Sequence, residues 1–360
     1  VQDSIIDLLN EKGEYDVIQV GNDSEDDTVV ANFRAINSKT HEADLVKEIS
    51  EAEVVTCSVG PNVLKFIAPV VAKGIEMRDM DKCDHPIAVI ACENMIGATD
   101  SLREFIESET PQERLHTLLD RARFANSAID RIVPAQDPDA GLNVTLEKFS
   151  EWVVEKLPFA PYPPPSIDGI KWVRDLKPFI ERKLFTVNTG HAAAAYHGYH
   201  LKKTTVYDAL MDAQIMDEVK RALNETCELI ISKHDIEEGE QREYIEKIIK
   251  RISNPHLEDA VERVGRAPLR KLSRRERFIG PAAELAEMGK PFDALLDAAE
   301  MAFRFQNVPE DEESEKLAQI MSSKKAGEVV NEVCEIEEGH PLYPHLVKVV
   351  EKVQSEGQTA

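Results

Sequence analysis

The sequence predicts an α/β protein in two parts: a doubly wound, parallel-sheet domain over 1–172, then a mostly α-helical domain over 173–360. Three observations carry this. Short apolar, β-branched runs alternate with helix-periodic segments through the first half, as in a parallel sheet whose strands are joined by helices. The proline-dense Leu157 to Ser166 then interrupts the pattern, and it cannot be regular helix or central strand. Beyond Trp172 nearly every segment carries 3.6-type spacing. A length of 360 residues suits two or three domains, and 42% hydrophobic content supplies a core.

Taken in order, Gln2 to Leu9 puts Ile5, Ile6, Leu8 and Leu9 on one helical face, and Gly13 is its stop. Tyr15 to Val20 and Thr28 to Phe33 read as strands split by the turn Gly21-Asn22-Asp23-Ser24. Leu45 to Glu51 is a short helix, Glu53 to Ser58 a buried strand and Asn62 to Lys73 a helix. Pro86 to Cys92 is the next buried strand; Asp100 to Ser108 and Pro111 to Arg121 are helical, and Asn126 to Ile132 is extended. In the second half Thr204 to Ser232, Glu240 to Ile252, Pro281 to Met288, Phe292 to Phe303, Glu315 to Met321 and Ala326 to Cys334 are helices. Glu310 to Glu315 reads as a solvated acidic loop and Gln354 to Ala360 as a frayed tail.

Lys+Arg 43 against Asp+Glu 67 leaves a net charge of −24. That balance argues against a general binder of nucleic acid or anionic membrane and favours a monomer. The purely apolar runs, Phe66 to Ala72 and Pro86 to Cys92, fall far short of the ~20 residues a membrane span needs. No secretory leader is read at the start. Cys57, Cys83, Cys92, Cys227 and Cys334 are odd in number and form no CxxC. The expectation is a reduced, cytoplasmic protein whose cysteines are mostly small buried apolar residues.

In a doubly wound sheet, ligands bind beyond the carboxyl ends of the strands. The polar groups there are Ser58-Val59-Gly60-Pro61-Asn62, Glu93-Asn94 and Asp130-Arg131. No GxGxxG occurs, although a Rossmann-like dinucleotide site normally seats its pyrophosphate on such a turn. The chain reads as though its first strand and Gly-rich turn lay upstream of Val1.

The most informative stretch is Lys183-Leu-Phe-Thr-Val-Asn188-Thr-Gly-His191, inside an apolar helical run. At ~100° per residue, Asn188 lies ~140° and His191 ~80° around the helix from Lys183, so the three fit one broad face. Such groups are costly to bury without partners. Together they suit one oxygen atom, with an amine to accept its proton and amide and imidazole to hold it. A snorkelling Lys, a capping Asn and a satisfied core His remain the structural alternative. His191, His197 and His200 are closely spaced, but no thiolate or further ligand is evident, so no metal is expected.

Lys183-x4-Asn188-x2-His191 resembles the signature of the polyol-specific long-chain dehydrogenases. The string Glu181 to His191 is most similar to the branch acting on mannitol 1-phosphate. The segments Ser58 to Asn62, Ala91 to Met95, Ser127 to Pro134 and Asp259 to Arg266 match in the same order. The resemblance implies NAD-dependent, metal-independent interconversion of D-mannitol 1-phosphate and D-fructose 6-phosphate. It implies Lys183 as the acid–base group, Asn188 and His191 on the reacting oxygen, Asn94 and Asp130 near the polyol, and Gly60, Pro61 and Asn62 in the loop approaching the cofactor. A free lysine titrates near ~10.4, so Lys183 needs burial or a neighbouring cation such as Arg182 to work at neutral pH.

Arg263, Arg266, Arg270, Lys271, Arg274, Arg275 and Arg277 stand against one acid, Glu276, within fifteen positions of an acidic chain. Such a focus suits a small dianion. Arg263 and Arg266 are favoured for the substrate, Arg270 and Lys271 less so. Arg274, Arg275 and Arg277 read equally well as a solvated face. Alternatives left open are a dehydrogenase for free mannitol or a hexuronate, and a non-catalytic fragment or binding scaffold.

Overall fold

The computed structural model describes residues 3–21, 25–257 and 259–357. Asn22 to Ser24 of the expected turn, Gln2 of the first helix and the last three residues of the expected tail lie outside the described residues. The chain divides into two compact units, with the break between Ile180 and Glu181.

The first unit runs α1 (Asp3–Lys12), β1 (Glu14–Val20), β2 (Glu25–Ala31), α2 (Glu42–Glu51), β3 (Val54–Cys57), α3 (Leu64–Met77), β4 (Ile87–Ala91), α4 (Ala98–Glu109), α5 (Leu118–Arg121), β5 (Ala122–Phe124), β6 (Ser127–Asp130), β7 (Val144–Glu147), β8 (Glu151–Glu155) and β9 (Ile170–Val173). Among the described residues the strands form three small sheets, ordered β2-β1-β7, β3-β4-β5 and β6-β8-β9. The middle sheet is fully parallel. β4 is buried along its whole length, as a strand covered on both faces must be. Its alternate side chains divide between two cores. Ile87, Val89 and Ala91 meet Leu64, Val71 and Ile75 of α3 and Leu102 and Ile106 of α4. Ala88 and Ile90 meet Val154, Phe159, Trp152 and Trp172.

The outer sheets are mixed. β1 pairs antiparallel with β2, Glu14 opposite Ala31, and parallel with β7. β8 pairs antiparallel with β6 and parallel with β9. The strands β7, β8 and β9 escape the sequence reading because each is short and carries charged residues within it or at its ends. Trp172, read there as the start of helical structure, lies in β9. Of Pro111 to Arg121, expected to be helical throughout, only Leu118–Arg121 is α-helix, after a 3-10 turn at Leu115–Thr117. The proline-dense segment is irregular after a 3-10 turn at Leu157–Phe159, and the Ala160–Pro161 peptide is cis.

A helix α6 (Lys177–Arg182) holds the division between the units. It passes into a π turn at Lys183–Asn188 and then α7 (Thr189–His200). There follow α8 (Val206–Leu210), α9 (Ala213–Lys233), α10 (Glu238–Ile252), α11 (Val261–Gly265), α12 (Pro268–Lys271), α13 (Ile279–Glu287), α14 (Asp293–Phe303), α15 (Glu312–Ser323), α16 (Ala326–Val329) and α17 (Tyr343–Gly357). Thr204 to Ser232 is therefore two helices; Asp212 breaks the run and caps α9 by accepting from the Gln214 N–H at 3.0 Å. Glu310 to Glu315 is not a loop throughout. α15 starts at Glu312, and the carboxylate of Asp311 is buried because it accepts the Ala267 N–H. Gln354 likewise belongs to α17 rather than to a frayed tail.

α7 is the centre of this unit. Gly190, Ala192 to Ala195 and Gly198 leave it almost without side chains on its packing faces, and it contacts α8, α9, α11 and α14. Its Tyr196 is fully buried against Phe278 and Phe305, and Tyr199 also packs on Phe305. Cys57, Cys227 and Cys334 are buried and Cys83 and Cys92 half-buried, all as free thiols. Burial raises Cys57 to about 12 and Cys92 to about 11, which makes both poor nucleophiles. Among the described residues no helix is long and apolar enough to cross a membrane.

Two outcomes follow from α7. A Cβ on Gly198 would lie 2.7 Å from the Cβ of Ala209, an atom that cannot rotate away. Gly198→Ala should destabilise by roughly 1–3 kcal/mol, read as a lower urea midpoint. His197 lines a cleft of about 440 Å³ with His200, Glu218 and Arg304, and its Nε2 is buried without a partner. Burial, and then His200, push it down to about 4. The unfolded chain, titrating near ~6.5, binds the proton more readily. Stability should therefore fall as pH drops from about 6.5 to about 4, by about 3 kcal/mol in all. His197→Gln should flatten that part of the stability–pH curve.

Candidate active site

In the first unit, β3 and β4 run parallel and end together at Cys57 and Ala91. The loop after β3 carries Gly60, Pro61 and Asn62 and leads through a 3-10 turn, Pro61–Val63, into α3. Gly60 sits at φ 93°, a conformation that only glycine adopts without strain. The loop after β4 carries Glu93 and Asn94. The Glu93 carboxylate accepts the Val59 N–H at 2.7 Å and the Gly60 N–H at 3.1 Å. The two strand-end loops are thus tied by adjacent N–H groups converging on one negative charge, the geometry of an anion-binding turn. Open space surrounds the missing Cβ of Gly60, and Asn62 and Asn94 are exposed. A position at strand carboxyl ends and room for close backbone approach fit a nucleotide cofactor. Asp130, at the end of β6, is buried at 4% exposure.

In the second unit, the π turn begins at Lys183 and ends at Asn188. A π turn closes i to i+5, so it brings Asn188 closer to alignment above Lys183 than the ~140° of a regular helix would. The widened turn has its own support: the Thr189 hydroxyl lies 3.1 Å from the Leu184 carbonyl and donates to the Arg277 carbonyl at 2.8 Å. Lys183 and Asn188 are half-buried, and Leu184 to Val187 between them are buried. Arg182, expected beside Lys183 as a cation, turns instead to Glu240, Gln241 and the Tyr244 ring.

His191 lies in the first turn of α7. Its Nε2 is 3.0 Å from Oδ2 of Asp259, a carboxylate only 4% exposed. The other oxygen of Asp259 accepts from Nη2 of Arg263. Asp259 is held by backbone: its carbonyl accepts the Val206 N–H at 2.8 Å, and the next residue, Ala260, bridges antiparallel to Thr205. Burial, and then the neighbouring Arg266, lower the pKa of Arg263. The structure thus joins His191 to Arg263 through a residue to which the sequence reading gave no role. The signal available was the Asp259–Arg263 spacing of four.

The rest of the basic run divides. Arg266 is exposed, with Glu310 at 3.9 Å. Arg270 pairs with Glu276, Arg274 with Glu287, and Arg275 is exposed. Arg277 is buried and binds Glu276 through two nitrogens, so it is not part of a solvated face. Lys271 is a weaker phosphate candidate in sequence only. It is buried at 5% exposure, donates to the Val264 and Arg266 carbonyls, and has its pKa driven well down by burial. With Tyr196, whose hydroxyl donates to the Gly265 carbonyl at 2.8 Å, it fixes the bend that carries Arg263 and Arg266. The single opposing acid of the sequence becomes several in the fold, with Asp259, Glu287 and Glu310 brought in from elsewhere.

The family model of the mannitol dehydrogenase Rossmann domain matches residues 1–166, and that of the mannitol dehydrogenase C-terminal domain matches 175–354. A protein of Sclerotinia sclerotiorum named mannitol-1-phosphate 5-dehydrogenase is 67% identical over 99% of this chain and 91% of its own length. One of the same name from Neurospora crassa is 63% identical over 99% and 89%. Among solved structures, Pseudomonas fluorescens mannitol 2-dehydrogenase in a ternary complex with NAD and D-mannitol superposes with a TM-score of 0.77 at 16% identity, over 99% of this chain and 83% of that one. That likeness shows the same fold. With both domain models matched and relatives above 60% identity along its length, the chain belongs to the mannitol dehydrogenase family.

Proposed function

We propose that the chain interconverts D-mannitol 1-phosphate and D-fructose 6-phosphate, with NAD as the hydride carrier and Lys183 as the acid–base group. The observation that carries the substrate is 67% identity, over nearly the full chain, to a mannitol-1-phosphate 5-dehydrogenase. The structural neighbour solved with NAD supports the cofactor, as does the open space around Gly60 at the end of β3. Gly60, Pro61 and Asn62 would hold the cofactor, which when bound supplies a nicotinamide ring that accepts or returns hydride.

The chain's own residues do the rest. The Asn188 amide and the His191 imidazole hold the carbinol oxygen. Lys183, uncharged in the oxidising direction, takes the hydroxyl proton on Nζ as hydride leaves the carbon, and the C–O single bond becomes a carbonyl. In reverse, the Lys183 ammonium protonates the oxygen as hydride arrives. The oxygen's developing negative charge is met by groups already in place, which is where electrostatic catalysis is strongest. Asn94 and Asp130 are proposed as further substrate-binding residues. Arg263 and Arg266 take the phosphate, which as a dianion suits paired guanidiniums. The same reading has a monomer and needs no metal.

Lys183→Ala should lower kcat by orders of magnitude and leave NADH affinity nearly intact; fluorescence titration and steady-state kinetics read the two separately, and normal turnover refutes the role. Arg266→Ala should lower the ratio of activity on mannitol 1-phosphate to that on mannitol by about 10-fold, the size of one charge-assisted hydrogen bond. An unchanged ratio removes Arg266 from phosphate binding.

A further inference from the structure

The basic segment and the Lys-Asn-His segment are far apart in the chain, yet one buried carboxylate touches both. Oδ2 of Asp259 is 3.0 Å from His191 Nε2, and Oδ1 accepts from Arg263 Nη2. At 4% side-chain exposure, Asp259 is shielded from solvent, whereas His191 is 18% and Arg263 35% exposed. Both of its charge-assisted hydrogen bonds are therefore made in a poorly hydrated setting, where they are strong and directional. The backbone that carries the carboxylate is held as well. The Val206 N–H to Asp259 carbonyl bond at 2.8 Å and the Val261 N–H to Thr204 carbonyl bond at 3.1 Å hold its backbone on one side, and its own N–H donates to the Leu257 carbonyl at 2.7 Å on the other.

We propose that Asp259 is a positioning residue that orients His191 and Arg263 as one unit, so that the group holding the carbinol oxygen and the group holding the phosphate keep a fixed spacing. This rests on the function proposed above. A carboxylate on Nε2 keeps a proton there and sets the ring plane of His191; Nδ1 is left for the carbinol oxygen, to which it donates when the ring carries both protons. A guanidinium tied through Nη2, with its Nε buried, keeps the donors of Nη1 for a phosphate. The substrate carries its phosphate at one end of a six-carbon chain, and the reacting carbinol is several bonds away. A rigid spacing between the two holding groups selects the carbon presented for reaction. Asp259 touches neither the substrate nor the cofactor in this scheme.

The test is a kinetic cycle on the full-length protein with His191→Ala, Asp259→Asn and the double variant. Asp259→Asn should lower kcat for mannitol 1-phosphate about 10- to 100-fold, the loss expected for one hydrogen bond to a charged group, and raise KM through Arg263, with NADH affinity unchanged. The double variant should have the kcat of His191→Ala alone, since a residue acting through another adds nothing once that other is gone, while its KM still rises through Arg263. Asp259→Glu should recover part of the loss. Wild-type kcat and KM in Asp259→Asn, or kcat losses that add in the double variant, overturn the proposal. Should Asp259→Asn fail to fold, ¹⁵N NMR of the His191 ring in the unaltered protein decides instead. A proton on Nε2 supports the pairing, and a neutral ring protonated on Nδ1 only overturns it. If the unaltered protein does not turn over mannitol 1-phosphate, the proposed function fails, while the NMR result still judges Asp259.

Discussion

The helical unit depends on how closely α7 can be approached. A helix of glycines and alanines has little side-chain volume, so neighbouring helices come near its backbone and their contacts become tight and specific. Gly190 lies against Leu223 of α9, and Gly198 against Ala209 and Val261. Val261 opens α11, the helix that carries Arg263. The same packing that buries Ala192 to Ala195 therefore fixes Asp259 and Arg263 beside the first turn of α7, where His191 sits. Tyr196 extends the effect: its ring fills the space against Phe278 and Phe305, while its hydroxyl binds the Gly265 carbonyl.

Charge in this unit is arranged by burial as much as by sequence. An isolated buried ion is costly, so buried ions are paired or hydrogen-bonded. Arg277 has Glu276, Lys271 has two carbonyls, and Asp259 has His191 and Arg263. What remains for a ligand is the exposed part of the run. Arg266 is more than half exposed, and its nearest acid stands at 3.9 Å. In the first unit one anion is likewise already seated: Glu93 occupies the donors of Val59 and Gly60.

Much of the fold is legible in the sequence, because local periodicity is a local property. β4 and its flanking helices declare themselves through Ile87 to Ala91 and the apolar stripes of α3 and α4. β8 does not, since Trp152-Val153-Val154 is flanked by Glu151 and Glu155, and a three-residue apolar run has no period to read. β7 is obscured in the same way by its short length. The antiparallel pairing of β1 with β2 and of β6 with β8 depends on where distant segments meet. Asp311 misleads for a related reason. It stands in an acidic string, and only the Ala267 N–H, supplied from far along the chain, makes it a buried acceptor.

The sequence alone determined the two-part architecture, the spacing of Lys183, Asn188 and His191, and the kinship that gives them a reading. Residue type and interval are enough for those. Tertiary structure decided which charges have partners: it sent Arg182 to α10, buried Lys271 and Arg277, and set Asp259 between His191 and Arg263. It also made the turn from Lys183 to Asn188 a π turn. Those outcomes turn on close packing and on hydrogen bonds between segments remote in the chain, and a carboxylate bears no mark in its own neighbourhood of the imidazole it will meet.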